Sequence, residues 1–432
     1  MQGRLNIFQK SMLQWNELHP YSAVHVVQIR DALDAPRLRT CIHTTVQRRG
    51  LTRLTLDSEQ SAFQYEGGPA DCEIRTIAGD ERPWCALVAE MERQLNVRFE
   101  SARPFSPFRF LVAPAGDSFF LGLVYFHPVA DAESVVGLLK DIVSAYMEEG
   151  PEEGRESLEL YPDSRLPLWR RHPRVVARKL LALPAQVRNL RQSHHPRSGG
   201  TDNLANGFVC FSVAPEDLRS LIAAAKSWGV TVNDLFLALL MKSLSPCAAA
   251  RAQARKRRKI SVGCIVNLRK DLGVDSRRVF GLFLGSFTVT HEVPAGISLR
   301  QLAGDIRQQT SPIKRHKLYL GTPLELGSAH CLLRFFSPRR RKKFYAKHYP
   351  LWGGITNMNL NLLWEPSGRH APLDYFRGVS TGPVTPLVLS VTTVGDRANL
   401  GLSYRTAVFS QGDIENLQGR FREHLEETRT DA

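Results

Sequence analysis

Cysteine is scarce in this chain, and its few cysteines are not spaced to act together. Seven of them are scattered over 432 residues, and no two form a Cys-x-x-Cys pair. An odd and scattered set predicts neither a disulfide framework nor a zinc site. We therefore expect no bound metal and a reducing compartment, which favours the cytoplasm.

Long apolar runs are missing as well. Nowhere do eighteen apolar residues follow one another, and the first twenty residues contain no uninterrupted apolar segment with a small-residue cleavage site. We expect a soluble protein without a secretory signal. The sequence has neither a phosphate-binding loop of the type G-x-x-x-x-G-K-[ST] nor a nucleophile elbow of the type G-x-S-x-G, so the enzyme classes that depend on these motifs are not indicated.

Acidic residues are absent from three strongly basic stretches. Residues 169–197, 251–259 and 334–347 carry eight, six and seven Lys or Arg residues, and the net charge is +15. The rest of the chain has 36 basic and 42 acidic residues. Two of the stretches mix cations with leucine, valine or aromatic residues, which predicts contact with an anionic membrane or an acidic partner, or an ordinary solvated face. Because no nucleic-acid recognition motif accompanies the charge, we expect no nucleic-acid partner.

Patterns typical of strands and helices alternate along the chain on both sides of a proline-rich segment. Residues 21–56 have the pattern strand, helix, strand, and residues 106–126 have the pattern of two strands joined by a turn. We expect an α/β protein. Its N-terminal lobe would cover residues 1–168, a basic interlobe connection residues 169–204, and the C-terminal lobe residues 205–432.

A histidine follows the most apolar of these predicted strands. In the stretch YFHPVADAES, His127 comes directly after the apolar run, and Asp131 precedes an amphipathic helix. A neutral imidazole at the mouth of a buried strand can take a proton from a hydroxyl or an amine, so His127 is a candidate general base. The alternative is a histidine bonded only to nearby backbone. Asp131 stands where a helix N-cap belongs and would orient the loop that carries His127.

The same His-x-x-x-Asp spacing occurs a second time, at His370 and Asp374. That pair lies in a segment bounded by proline and glycine, with no buried strand before it and no amphipathic helix after it. The spacing alone is therefore not informative. The sequence around His127 is what distinguishes the first pair.

The first pair and its surroundings resemble the superfamily of CoA-dependent acyltransferases, which includes chloramphenicol acetyltransferase, nonribosomal peptide condensation domains, plant BAHD acyltransferases and wax ester synthases. The signature of that superfamily is H-x-x-x-D at a junction of strand and helix. Further along, GVTVNDLFLALL is similar to a helix of the second lobe, and VNLRKDLG is similar to a strand that carries an arginine. The resemblance implies a two-lobed chloramphenicol acetyltransferase-like fold, with mixed sheets flanked by helices and an active-site tunnel between the lobes.

The resemblance also implies roles for individual residues. His127 would be the base, Asp131 a structural, orienting residue, and Arg269 of the second lobe the partner of Asp131. Arg269 could instead be a surface charge. Ala132 stands where the family usually has glycine.

Three further residues are candidates for binding substrate. Phe126 occupies the position where condensation domains carry a first histidine, which argues against a peptide synthetase module. Asn233 belongs to the second-lobe helix, where it could also take part in a helix cap. Asn357 would line the tunnel from a later strand.

The function implied is transfer of a fatty or otherwise apolar acyl group from a CoA or acyl-carrier-protein thioester to a hydroxyl or amine acceptor. No cofactor would be bound permanently, because acyl-CoA or acyl-phosphopantetheine is a co-substrate. The partners would be that donor, a small-molecule acceptor and an acyl carrier protein. The alternative is a noncatalytic, condensation-like protein that docks carrier proteins or anionic membranes, placing it at the inner face of the membrane.

Overall fold

Two large mixed sheets organise the chain, and a cavity lies between them. The computed structural model describes residues 1–57, 62–77, 82–101, 104–147, 159–160, 172–196, 203–275, 278–333 and 335–430. The strands are β1 (Gln2–Arg4), β2 (Ser22–Ile29), β3 (Leu54–Asp57), β4 (Ala62–Tyr65), β5 (Glu73–Thr76), β6 (Phe108–Ala115), β7 (Ser118–Phe126), β8 (Glu159–Leu160), β9 (Asn206–Val213), β10 (Ile260–Asn267), β11 (Val279–Phe280), β12 (Leu284–His291), β13 (Leu351–Asn359), β14 (Asp374–Val379), β15 (Leu387–Val394) and β16 (Arg397–Arg405).

Helices connect and cover these strands. They are α1 (Ile7–Leu18), α2 (Ala35–Arg48), α3 (Pro83–Leu95), α4 (Ala132–Met147), α5 (Pro173–Gln192), α6 (Pro215–Ser227), α7 (Val232–Leu244), α8 (Arg269–Leu272), α9 (Leu299–Arg315), α10 (Thr322–Leu333), α11 (Pro338–His348) and α12 (Gln411–Thr430). Strands and helices alternate in both halves of the chain, as the sequence patterns predicted.

The first sheet contains one strand from the C-terminal half of the chain. Its order is β14-β2-β7-β6-β5, and the second sheet has the order β12-β10-β13-β15-β16-β9. Strand β14 pairs antiparallel with β2, so that Arg377 lies opposite His25. On its other side β14 contacts β15 and β16. The two halves of the chain are therefore joined through β14, close to the cavity.

Strand β7 leads to the candidate histidine. It pairs antiparallel with β6 through the tight turn at Gly116, which has a φ of 70° that glycine adopts without strain. Every residue of β7 is buried. The continuous apolar run thus forms an inner strand of a sheet covered on both faces, as its composition predicted.

Helix α7 is the central helix of the second core. Its N-terminus has a capping box, in which Thr231 and Asp234 exchange hydrogen bonds, and its residues from Leu235 to Met241 are buried. The segment Val232–Gln253 is long and apolar enough to cross a membrane by composition alone. Most of that segment is buried inside the protein, and its side chains pack against strands and helices of the second core.

The proline-rich segment between the halves contains a helix of twenty residues, α5, although the sequence predicted only a connection. Pro173 occupies the start of α5, where its missing N–H costs nothing, and Pro184 lies inside it. Lys179 of α5 is buried and forms an ion pair with Glu325 at 2.7 Å. At least part of this basic stretch is therefore packed against the protein body.

Candidate active site

A cavity of about 240 Å³ opens between the two sheets. Its walls come from β2, β7 and β14 of the first sheet, from β10, β12, β13 and β15 of the second, and from α1, α10 and α11. Most of the exposed wall surface is apolar, and the polar groups on it include His127, His25 and Arg377. A cleft with mainly apolar walls and convergent polar groups is the usual form of a small-molecule site.

His127 projects into this cavity directly after β7. The chain turns there through a short 3-10 helix, His127–Val129, in which proline supplies its fixed φ. The His127 backbone N–H donates to the Tyr21 carbonyl at 3.3 Å, and the Tyr21 ring stacks on the imidazole with 5.4 Å between ring centroids. Tyr21 therefore positions His127 twice, through the backbone hydrogen bond and through the stacking of its ring on the imidazole.

The hydrogen bond of the His127 ring fixes its tautomer. Nδ1 lies 3.1 Å from the Ala130 carbonyl oxygen, which can only accept, so Nδ1 carries the proton. Nε2 has no hydrogen-bond partner in the part of the chain that the structure describes. The atom is not buried, so it remains accessible. Nε2 is therefore an unprotonated acceptor that faces the cavity, as a general base requires.

The surroundings of His127 keep the imidazole neutral. Burial lowers the pKa of His127 from its ordinary value to about 4, although the bond to the Ala130 carbonyl and the carboxylate of Asp131 act in the opposite direction. Only 8% of the residue is exposed, which explains why burial dominates. At neutral pH the ring is almost entirely in the form that can accept a proton.

Asp131 is turned away from the cavity and towards the second half of the chain. Its carboxylate accepts from the Ser134 backbone N–H at 2.9 Å, which is an N-cap, and from the Phe283 backbone N–H at 3.0 Å. It also lies 3.0 Å from Nη2 of Arg269. The cap indicated by the sequence around Asp131 and the ion pair implied by the family resemblance are thus both present at one carboxylate.

Arg269 completes this junction between the halves. Its side chain is 3% exposed, and its guanidinium lies 4.1 Å from the centroid of the Phe283 ring. Nη2 also donates to the Ser134 hydroxyl at 2.6 Å, and Nη1 donates to the Val279 carbonyl at 3.0 Å. Arg269 is therefore a buried cation and not a surface charge. Through Asp131 it fastens the loop after His127 to the C-terminal half.

Solved domains of nonribosomal peptide synthetases are similar to this chain. The first condensation domain of the calcium-dependent antibiotic synthetase, in complex with a substrate analogue, superposes with a TM-score of 0.68 and 17% identity over 100% of this chain and 97% of that one. The chain has the condensation-domain fold. A cyclization-docking bidomain from Sorangium cellulosum gives 0.71 and 16% over 100% and 86% of the two chains. An epimerization domain from tyrocidine synthetase B gives 0.66 and 14% over 100% and 98%.

No protein-family model and no curated protein matches the sequence. The condensation-domain fold nevertheless confirms the predicted fold class, a mixed α/β architecture of the chloramphenicol acetyltransferase-like type. In this condensation-domain fold His127 lies on the wall of the cavity between the sheets.

Three predicted substrate-binding residues do not line the cavity of this condensation-domain fold. Phe126 is completely buried on the opposite face of β7, where it contacts Phe99 and Phe105, because side chains alternate along a strand. Asn357 is exposed, and its neighbour Thr356 lines the cavity instead. Asn233 donates to the sulfur of Cys264 at 3.6 Å.

Sequence patterns missed several residues that do line the cavity. His25 and Arg377 face each other across β2 and β14, and Tyr125 lies between His25 and His127 with ring centroids 5.6 and 5.5 Å away. His25 is bonded through Nδ1 to the Tyr375 hydroxyl at 2.7 Å. Burial, with Arg377 and His127 nearby, holds the pKa of His25 well below its ordinary value. No local motif marks these residues, because they meet only when β14 joins the first sheet.

Proposed function

We propose that this protein transfers an acyl group from a phosphopantetheine or CoA thioester to a hydroxyl or amine, with His127 as the general base. The observation that carries the proposal is the free Nε2 of His127 in the cavity, opposite an Nδ1 proton fixed by the Ala130 carbonyl. The condensation-domain fold supports chemistry of this type. The largely apolar wall favours a fatty or otherwise apolar acyl group.

The reaction follows from the state of the imidazole. The acceptor O–H or N–H gives its proton to Nε2 while the oxygen or nitrogen attacks the thioester carbonyl. The tetrahedral intermediate then collapses, the C–S bond breaks, and the imidazolium returns the proton to the departing thiolate. The low pKa of His127 helps this return, because a buried imidazolium is a strong acid. No covalent acyl-enzyme is needed, and the orientation of two reactants in one cavity supplies much of the acceleration.

Asp131 and Arg269 act in this proposal as positioning residues. Neither contacts the cavity, and both hold the loop between His127 and α4. The loop gives His127 its fixed orientation through the Ala130 carbonyl, which belongs to the same turn. A buried and fully bonded carboxylate is suited to holding backbone in place.

A basic groove offers a surface for the phosphopantetheine donor. It is lined by Arg188 and Arg191 of α5 and by Arg255 and Lys256, with Leu183, Pro184 and Val187 between the cations. Such a mixture fits an acidic acyl carrier protein or the phosphates of CoA. Not all of the 251–259 stretch contributes, because Arg251 is buried and donates to the carbonyls of Ser245 and Ala248.

Thiol release tests the proposed function directly. We would measure it with acyl-CoA and acyl-carrier thioesters of several chain lengths, each with pooled alcohols or pooled amines. Release that requires both a donor and an acceptor, together with the mass of the ester or amide, supports acyl transfer. Hydrolysis of the donor at the same rate without any acceptor would contradict it.

The pH dependence of the reaction follows from the pKa of His127. Because the base acts when neutral and its pKa is about 4, kcat/KM should change little between pH 7 and pH 5.5. An ordinary imidazole, with a pKa near 6.5, would lose about tenfold over the same interval. The rate should fall only as the pH approaches 4. The measurement uses an alcohol acceptor, which does not titrate in this range, and a tenfold loss by pH 5.5 would contradict the prediction.

The alternative is a protein that docks on anionic membranes or carrier proteins without catalysis. One observation favours membrane contact: Leu180 and Leu181 of α5 are 54% and 81% exposed, and Arg174 and Arg178 of the same helix are exposed as well. Exposed leucines beside cations are typical of segments that insert into the interface of an anionic bilayer. Carrier or vesicle binding without any thiol release would favour this alternative.

Vesicle binding should depend on these leucines if α5 contacts a membrane. Changing Leu180→Ser and Leu181→Ser together should weaken cosedimentation with phosphatidylglycerol vesicles at least about tenfold, because each leucine buried in the interface contributes roughly 1.5 kcal/mol or more. The matched control is Ile222→Ser on α6, which is 48% exposed. Equal binding by the wild type and the double variant would exclude α5 as the contact.

A further inference from the structure

One charged side chain in the cavity has no role in the proposed proton transfer. Arg377 is only 4% exposed, and it lies on β14 in the wall between the two sheets. Its Nε donates to the Thr392 hydroxyl at 2.7 Å, and its Nη2 donates to the Val391 carbonyl at 2.6 Å. These two bonds anchor Nε and Nη2 of the guanidinium to β15 of the second sheet.

One nitrogen of the guanidinium remains, since Nη2 also donates to the Thr356 carbonyl at 3.4 Å. Within the described residues, Nη1 of Arg377 has no hydrogen-bond partner, and no carboxylate forms an ion pair with this side chain. Nη1 is not buried, and because Arg377 lines the cavity, Nη1 is open to it. Burial lowers the pKa of Arg377 to about 10, which still leaves it charged at neutral pH.

A buried cation without a counter-ion is costly unless something else supplies the charge. A charged guanidinium nitrogen that is open to a cavity can donate to an oxygen of a carboxylate or a similar oxyanion. We infer that a substrate of this protein carries an anionic group, of carboxylate type, which Arg377 binds inside the cavity. The inference rests on the proposed function, because it adds a recognition element to the same cavity as His127.

The position of Arg377 separates that anionic group from the reacting atom. His127 adjoins Tyr21, just before β2, and Arg377 faces His25 four residues further along the chain. The Tyr125 ring lies between the rings of His25 and His127, 5.6 Å from the first and 5.5 Å from the second. The anionic group would thus be joined to the reacting atom by a spacer that passes the rings of Tyr125 and His25.

The anionic group can belong to the acceptor or to the acyl donor. An acceptor of this class would be a hydroxy or amino acid with an extended apolar spacer. A donor of this class would be a thioester whose acyl chain ends in a second carboxylate. In both cases a carboxylate would lie at Arg377. Anionic acceptors and anionic acyl thioesters therefore have to be tested separately to identify the source.

The test is a binding comparison between acids and their methyl esters. We would measure by calorimetry the affinity of 6-hydroxyhexanoate, 8-hydroxyoctanoate and 10-hydroxydecanoate, each against its methyl ester. A second arm compares pantetheine thioesters of adipate and sebacate with their monomethyl esters. In at least one arm the acid should bind at least about tenfold more tightly to the wild type, as expected for a bond between two charged groups. The arm that shows the preference identifies the source.

Variants of Arg377 connect the preference to the residue. Arg377→Met should abolish the difference between acid and ester, and Arg377→Lys should retain part of it, because lysine keeps the charge but not the fork of donors. If Arg377→Met fails to fold, the comparison of acid and ester on the wild type still decides whether the cavity prefers an anionic group. Equal affinities in both arms, or a preference that persists in Arg377→Met, would overturn the inference.

The same compounds separate this inference from the proposed function. Binding requires no turnover, so a preference for the acid without thiol release would leave the anion site in place and count against acyl transfer. Thiol release that is equally fast with acids and esters, and equal affinities for them, would support acyl transfer and overturn the anion site.

Discussion

Replacing His127 with alanine is expected to slow acceptor-dependent thiol release by a factor of about 10² to 10⁴, the usual contribution of a general base. The loss should appear in kcat, because the imidazole acts on the proton that moves in the reaction. Binding of the donor should change little, since the same cavity wall is otherwise present. The measurement is steady-state thiol release at saturating acceptor, with calorimetry for donor binding.

The chain contains its own matched control for this substitution. His370 and Asp374 have the same spacing as His127 and Asp131, yet His370 does not line the cavity. Asp374 belongs to β14, where its carboxylate accepts hydrogen bonds from the backbone N–H of Tyr375 and from the side-chain amide of Asn399. His370→Ala should therefore release thiol at the wild-type rate. Equal rates for wild type and His127→Ala would remove His127 from the mechanism.

Arg269→Ala should cost about 3 to 5 kcal/mol in the free energy of unfolding, because it leaves the Asp131 carboxylate buried without its cation. Asp131 would keep its bonds from the backbone N–H groups of Ser134 and Phe283, so the loop would loosen without losing every contact. We expect kcat to fall as well, since His127 depends on that loop for its orientation. Urea denaturation followed by circular dichroism measures the first effect.

An exposed ion pair provides the comparison for Arg269. Arg429 pairs with Asp217 on the surface, with 49% of the arginine side chain exposed. Arg429→Ala should cost less than about 1 kcal/mol, because exposed pairs gain little in water. A loss of similar size in the two variants would mean that the Asp131–Arg269 pair is not the junction between the halves.

The sequence around His127 was informative because several local signals agree there. A continuous apolar run predicted a strand covered on both faces, and the apolar spacing after Asp131 predicted the helix that caps on it. Phe126 was predicted on another ground, because it stands where condensation domains carry a first histidine. Side chains alternate along β7, so Phe126 faces away from the cavity, and Tyr125, on the same face as His127, lines it.

Residues brought together by long-range pairing were beyond local patterns. His25 and Arg377 are far apart in the chain, and only the insertion of β14 beside β2 makes them neighbours. The interlobe helix α5 was missed for another reason. Its prolines suggested irregular structure, but one of them opens the helix, and packing through Lys179 stabilises the rest.

Strand β14 also governs when the first sheet can be completed during synthesis. The ribosome must produce residues up to Val379 before β2 gains its outer neighbour, and the contact between His25 and Tyr375 spans 350 positions. Until then β2, which contains three valines and an isoleucine, has an open edge that can pair with another exposed strand. The nascent chain therefore carries an aggregation-prone edge through most of translation, and the cavity cannot form before β15 has emerged.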